Sequence, residues 1–348
     1  MHRSGTSVIT RGLQVLGVEL GDNLMPPYEG NNARGFWEDV DINALNIEML
    51  HSLNRDWHFL TPIQPADVNT LSGNGYLQRA VELLQKKTAT ATVFGFKDPR
   101  IAKLLPFWKR VFTDGQMSVD YVVVIRHPLS VRDSLTKRDG FEVEKIHLLW
   151  LEHVIGSLVG TDGENRVLVD YDTFMRTPET ELTRIAKELQ LSMDTAELQK
   201  FQSEFLDHQL QHTIYQLNEL MLDRQSPPLM QEIYSSLLDP ATGKGDPKNS
   251  FLKHKIAQWD HEFSRLRSAL VLADSLGTKL AAATAERDAL NAARNNLLRE
   301  RAQVMQEMLA KERAMQTLKT ELLVIRQSRL WRWTKPLRRL FSLFQQTR

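Results

Sequence analysis

Apolar positions along the chain change their period several times, and each change marks an element. From Ser7 to Leu20, Val8, Ile9, Leu13 and Leu16 recur at helical spacing directly behind a small-residue loop, so a helix is expected almost at the first residue. Pro26, Pro27 and Gly30 sit among other turn formers between Asn23 and Asn32, which predicts a surface loop. Three short runs rich in β-branched or aromatic residues, Thr92–Phe96, Val119–Ile125 and Val167–Val169, predict strands. Helical patterns are read over Gln78–Lys86, Leu129–Lys137, Glu144–Leu158 and Glu179–Leu189. Strand and helix in alternation predict an α/β fold, a parallel sheet flanked by helices, with ligands beyond the carboxyl ends of its strands.

Behind this region the pattern shifts. Gly243, Gly245 and Pro247 lie among polar residues, so residues 1–241 read as one domain and 242–250 as a linker. Residues 251–327 then turn rich in alanine, glutamate and arginine. Leu276, Ala283, Leu290, Leu297, Val304, Leu318 and Ile325 keep a seven-residue step, interrupted by Lys311, and Leu280, Met308, Met315 and Leu322 fill a companion seam. Arg287, Arg294 and Arg301 break that seam, so a long helix is expected, with self-association as a coiled coil weakened in its middle. Residues 328–348 mix tryptophans, leucines and cations, a chemistry that suits either a membrane interface or the surface of a partner domain.

Composition narrows the classes. The chain of 348 residues carries 44 basic and 43 acidic side chains, so no global field gathers nucleic acid and any affinity for anions must be local. There is no cysteine, which removes disulfides, thiolate metal sites and thiol nucleophiles together. No apolar run reaches the ~18 residues of a membrane-spanning helix, and no secretory leader precedes the first motif, so a cytoplasmic protein with the option of peripheral membrane contact is expected.

Two motifs carry candidate chemistry. Arg3, Ser4, Gly5, Thr6 and Ser7 lead straight into the first helix, where unpaired backbone amides and the helix dipole favour a phosphate and the glycine permits close approach. The loop lacks the first glycine and the Lys-Ser/Thr ending of the nucleoside-triphosphate P-loop. The second motif is the strand ending at Arg126, followed by Pro128 and, two turns into the next helix, by Ser134; arginine and serine can converge there on one further anion. Read blandly, the first is an N-cap and the second a surface arginine with an unrelated serine.

These motifs, with Val169-Asp170-Tyr171-Asp172 ahead of a helix holding Pro178, stand in the order found in the sulfotransferases that use 3′-phosphoadenylyl sulfate (PAPS). Over roughly Met1 to Leu191 the chain resembles the bacterial and tyrosylprotein branches of that family. The resemblance implies a P-loop-like fold and PAPS as co-substrate. Arg3 to Ser7 would hold the 5′-phosphosulfate, Arg126 and Ser134 the 3′-phosphate, and Tyr171 would lie near the adenine. Lys97, in Lys97-Asp98-Pro99-Arg100, would stabilise the leaving group, and Glu38 is preferred over Asp39 or Asp41 as the base. Cytosolic relatives use a histidine two residues beyond the lysine, a place held here by Pro99.

No metal is expected; His208 and His212, four apart, lack a third ligand. The acceptor would be a hydroxyl, with a glycan in view, and no nucleic-acid partner is expected. In folds of this type the phosphate loop follows a central strand, so that first strand is missing here, and the expectation is that Met1 is internal to a longer natural chain. The competing functions are a P-loop-type nucleotide-binding kinase and an inactive coiled-coil scaffold.

Overall fold

Tyr121–Ile125 (β1) and Arg166–Asp170 (β2) pair in parallel, with Tyr121 opposite Arg166 and Ile125 opposite Asp170. A parallel pair needs a crossover. It is made by Pro128–Asp139 (α6) and Val143–Gly160 (α7), the latter buried along much of its length. The computed structural model describes residues 1–28, 34–206 and 215–345. Part of the loop expected at Asn23–Asn32, and both His208 and His212, lie outside the described residues. Helices make up 69% of the described residues, so the sheet is a minor element.

Ahead of β1 come Thr6–Leu13 (α1), Val40–Ser52 (α2), Pro65–Gly73 (α3), Tyr76–Thr88 (α4) and Ile101–Asp114 (α5). After β2 come Tyr171–Arg176 (α8), Pro178–Leu189 (α9), Thr195–Lys200 (α10), Leu217–Leu222 (α11) and Pro228–Ala241 (α12). Then follow Ser250–Ser264 (α13), Arg267–Gln327 (α14), Arg329–Trp333 (α15) and Lys335–Gln345 (α16).

The strand expected at Thr92–Phe96 is reduced to a single parallel bridge, Glu19 with Phe94. Two backbone bonds make it, from the Glu19 amide to the Val93 carbonyl at 2.9 Å and from the Gly95 amide to the Glu19 carbonyl at 2.8 Å. Its partner segment is cut short on both sides, because Gly17 and Gly21 take left-handed φ values of 75° and 92° and turn the chain away. Gly17 also ends the first helical stretch, which runs on from α1 only as a tight turn over Gln14–Leu16 rather than to Leu20.

The expected boundary at residue 241 lies ahead of the point where the contacts thin out. Contacts divide the chain into Met1–Ser275 and Leu276–Arg348, so α13 belongs to the first unit. Leu252, Ile256, Trp259, Phe263 and Leu270 are all buried there. Their spacing of four, three, four and seven is one helical stripe, and it packs in the same cluster as Trp150 and Leu158 of α7. Asp274 fastens the start of α14, its carboxylate accepting from the amides of Leu60 and Thr61 at 2.8 and 2.9 Å and from the Thr61 hydroxyl at 2.6 Å.

Between α5 and α7 lies a buried ion pair, Lys103 Nζ to Glu152 Oε2 at 2.8 Å, with Lys103 also donating to the Phe59 carbonyl at 2.6 Å. Burial alone would raise the Glu152 pKa, but the Lys103 ammonium and His153 hold it at about 2. In the second unit α14 continues as one helix, and Leu276, Leu290, Leu297, Val304, Leu318 and Ile325 are exposed along it. Among the described residues, no helix is long and apolar enough to cross a membrane.

Trp259→Ala is expected to lower the stability of the first unit by about 3–5 kcal/mol, because it removes a buried indole from the α7 contact. Urea unfolding followed by circular dichroism measures it, and an unchanged midpoint would place α13 outside the core.

Candidate functional site

α1 opens without a side-chain cap. Its N-cap is Gly5, at φ 76°, and Thr6 is the first helical residue. The first-turn amides of such a helix have no intrahelical acceptor, and the dipole leaves the end positive. Ser4 is buried immediately before the cap. Arg3 also holds a left-handed φ, 63°, a conformation that is uncommon for a residue with a Cβ.

Gly5 is required by what lies against it. A Cβ at this position would sit 1.9 Å from Cδ2 of Tyr171, so the tyrosine ring occupies the space of the absent side chain. Tyr171 begins α8, whose N-cap Asp170 accepts from the Thr173 amide at 2.8 Å. Because Ile125 stands opposite Asp170 in the sheet, the next residue of each strand, Arg126 and Tyr171, emerges at the same edge. The Arg126 guanidinium carbon is 4.6 Å from the Tyr171 ring centroid.

Arg126 donates from Nη1 to the Arg3 carbonyl at 2.8 Å. Its Nε is buried and has no hydrogen-bond partner among the described residues. Arg3 donates from Nε to Oγ of Ser134 at 2.7 Å, on the helix that His127 caps and Pro128 begins. Burial lowers the Arg3 pKa, and the positive charges of Arg138 and Arg126 lower it further. Cations gathered this closely repel one another, and an orphaned guanidinium N–H in their midst fits an anion that would supply the acceptor.

A further cluster begins at Ser7, which donates to the Phe36 carbonyl at 3.0 Å. Lys97 donates to that carbonyl at 2.6 Å, to Glu38 Oε1 at 2.8 Å and to Ser7 Oγ at 3.3 Å. Burial raises the Glu38 pKa against the pull of Lys97, and Asp98 adds to the rise. Burial lowers the Lys97 pKa against the pull of Glu38. Both shifts bring the proton affinities of the acid and the amine closer, as proton transfer near neutral pH requires.

Asp39 and Asp41 have other duties. Asp39 caps α2, accepting from the Asp41 and Ile42 amides at 3.1 Å each, and meets Lys87 at 2.8 Å. Asp41 meets the same lysine at 2.6 Å. Glu38 instead belongs to a buried network that sequence reasoning missed. Asn43 donates from Nδ2 to Glu38 Oε2 at 3.0 Å and to Asp98 Oδ2 at 3.1 Å. Asn46 donates to Asp98 at 3.0 Å and accepts from the Trp108 indole at 2.9 Å. The available signal was two asparagines three apart on an otherwise apolar helix face, a costly choice unless both amides are used.

Arg3, Gly5, Arg126, Ser134 and Tyr171 thus meet in one cluster, and Ser7, Glu38 and Lys97 in another, each tied to the opening turn of the chain. A cavity of about 320 Å³ lined by Lys103, Glu152, Gly156 and Phe263 shares no residue with either cluster. Among the described residues, no group of histidine and carboxylate side chains is arranged to hold a metal ion. No protein-family model, no curated protein and no solved structure matches the chain.

Gly5→Ala is expected to destabilise the first unit by about 1–3 kcal/mol through displacement of Tyr171. Gly17→Ala supplies the comparison, because Gly17 has a similar φ of 75° but nothing lies within 4 Å of the place its new methyl group would take. Chemical denaturation should show the larger loss for Gly5→Ala, and equal losses would refute the close approach.

Proposed function

We propose that the chain is a sulfotransferase of P-loop-like α/β fold that moves a sulfuryl group from PAPS to a hydroxyl acceptor of the saccharide class. The observation that carries this reading is that two polar clusters are both tied to the residues of one helix N-terminus, one through Arg3 and Gly5 and the other through Ser7. Arg3, Arg126 and Ser134 suit a phosphate at the 3′ position, with Tyr171 beside the adenosine. The α1 amides, Ser4 and Thr6 suit the 5′-phosphosulfate, whose leaving oxygen would face Ser7 and Lys97. A 3′-phosphate is what distinguishes this donor from ATP, and the cluster of Arg3, Arg126 and Ser134 is the feature that would read it.

The reaction needs one bond formed and one broken. The acceptor oxygen bonds to sulfur as the bond from sulfur to the bridging phosphate oxygen breaks, and the electron pair leaves with adenosine 3′,5′-bisphosphate. Lys97 meets the charge that grows on that oxygen, and Glu38 takes the hydroxyl proton. At rest the two are paired at 2.8 Å. A bound phosphosulfate competes for the ammonium, so donor binding frees the carboxylate at the moment the acceptor needs it. The lack of cysteine accords with a reducing compartment, and we place the enzyme in the cytoplasm.

Arg126→Ala should weaken binding of adenosine 3′,5′-bisphosphate by roughly 10- to 100-fold, the loss of a charge-assisted contact. Ser134→Ala, a milder change, should weaken it less. Calorimetric titration with the bisphosphate and with ATP measures both, and tighter binding of ATP would favour a kinase and sink this reading.

The pH profile follows from the two shifts. Activity should rise as Glu38 loses its proton, above the ordinary carboxylate range, and fall as Lys97 loses its own, below the ordinary lysine range. Glu38→Gln should reduce kcat by about 10²-fold or more and remove the acidic limb. Transfer of labelled sulfuryl groups to a glycan acceptor over pH 5–10, a span of about five units around these groups, provides the readout; an acidic limb that survives in Glu38→Gln assigns the base elsewhere.

A further inference from the structure

The C-terminal tail has no part in the proposed chemistry, and its charge is unlike that of the whole. The last carboxylate side chain is Glu321; beyond it come Arg326, Arg329, Arg332, Lys335, Arg338, Arg339 and Arg348 in a chain of net charge +1. Ser328 breaks the long helix here. Its hydroxyl accepts from the Trp331 amide at 3.2 Å, capping α15, and donates to the Ile325 carbonyl at 2.7 Å.

Arg338 then holds the junction between α15 and α16. Its guanidinium carbon lies 3.5 Å from the Trp331 ring centroid, and it donates to the Thr334 hydroxyl at 3.2 Å and to the Trp331 carbonyl. A tryptophan stacked with an arginine is amphipathic at short range, with an apolar ring beside a fixed positive charge. Around it Leu330, Trp333 and Leu337 are 79%, 86% and 61% exposed. At 100° per residue, positions 336, 337, 340, 341, 343 and 344 of α16 share one side, and all are apolar. Positions 335, 338, 339, 342 and 345 share the other, and three of these are cationic.

We infer that α15 and α16 dock on an anionic phospholipid surface, lying in its plane. Leu330, Trp333 and Leu337 enter the boundary between headgroups and acyl chains, while Arg332, Lys335 and Arg339 face lipid phosphates. A protein groove receiving the apolar side would leave the cations in water and give no reason for the missing carboxylates. An anionic bilayer engages both sides at once. No described helix is long and apolar enough to cross such a bilayer, so the contact is with one leaflet. This inference is independent of the sulfuryl-transfer reading.

The test is co-sedimentation of the full chain with phosphatidylcholine vesicles, with and without phosphatidylserine. Binding to the serine-containing vesicles should exceed binding to the neutral ones by about tenfold or more and weaken as salt is raised. Arg332→Glu with Arg339→Glu should abolish that preference, and Trp333→Ala with Leu337→Ala should lower binding to the anionic vesicles. Neither pair should move the unfolding midpoint of Met1–Ser275. Equal binding to both vesicles, binding to neither, or a charge-reversed variant that binds like the parent overturns the inference. A solution mass that doubles in a tail-dependent way without vesicle binding would assign the surface to a second copy of the chain instead.

Discussion

Tyr171 fills the space that a side chain on Gly5 would need, and the candidate site depends on this close approach. It joins the first turn of the chain to the end of β2. Arg126 reaches the same place because β1 and β2 are in parallel register, and it ties down the Arg3 carbonyl. A left-handed Arg3 then directs its own guanidinium to Ser134. Backbone strain of this kind costs about 1–3 kcal/mol and persists where neighbouring contacts over-determine it, commonly at ligand sites.

The pairing of Lys97 with Glu38 is governed by desolvation rather than by shape. Lys97 and Glu38 lie where burial disfavours both charges, and their attraction offsets only part of that cost. In the proposed reaction the phosphosulfate would replace the carboxylate at the ammonium. The network through Asn43, Asp98, Asn46 and Trp108 holds Glu38 in position. Lys87, by engaging Asp39 and Asp41, removes the two neighbouring carboxylates from the competition.

Beyond this site the chain divides its apolar surface between two uses. The stripe on α13 is buried against α7, and Asp274 anchors the start of α14 to the backbone of Leu60 and Thr61. From Leu276 onward the same residue types are exposed along one helix, and in α15 and α16 they are paired with unopposed positive charge. Exposed leucines and tryptophans are unfavourable in water, and the lipid surface inferred above would cover those of α15 and the start of α16.

Much of the local structure was legible in the residue pattern. The helices after Pro128, Glu142 and Thr177, the strands on either side of them, and the long C-terminal helix follow from periodicity and from proline or acidic starts. The opening turn and the strand-end arginine stood out in the pattern as well, but nothing in their spacing showed that Arg3 would bond Ser134 or that the Tyr171 ring would lie on Gly5. Tertiary structure alone decided the rest. Whether Thr92–Phe96 becomes a strand depends on the length of its partner, which two distant glycines cut short. Whether α13 belongs to the core depends on a groove formed by α7, and whether Glu38 or Asp39 faces Lys97 depends on which carboxylate caps α2. Periodicity records which side of an element is apolar, but long-range packing determines what that side meets, and only the folded chain brings together groups separated by more than a hundred residues.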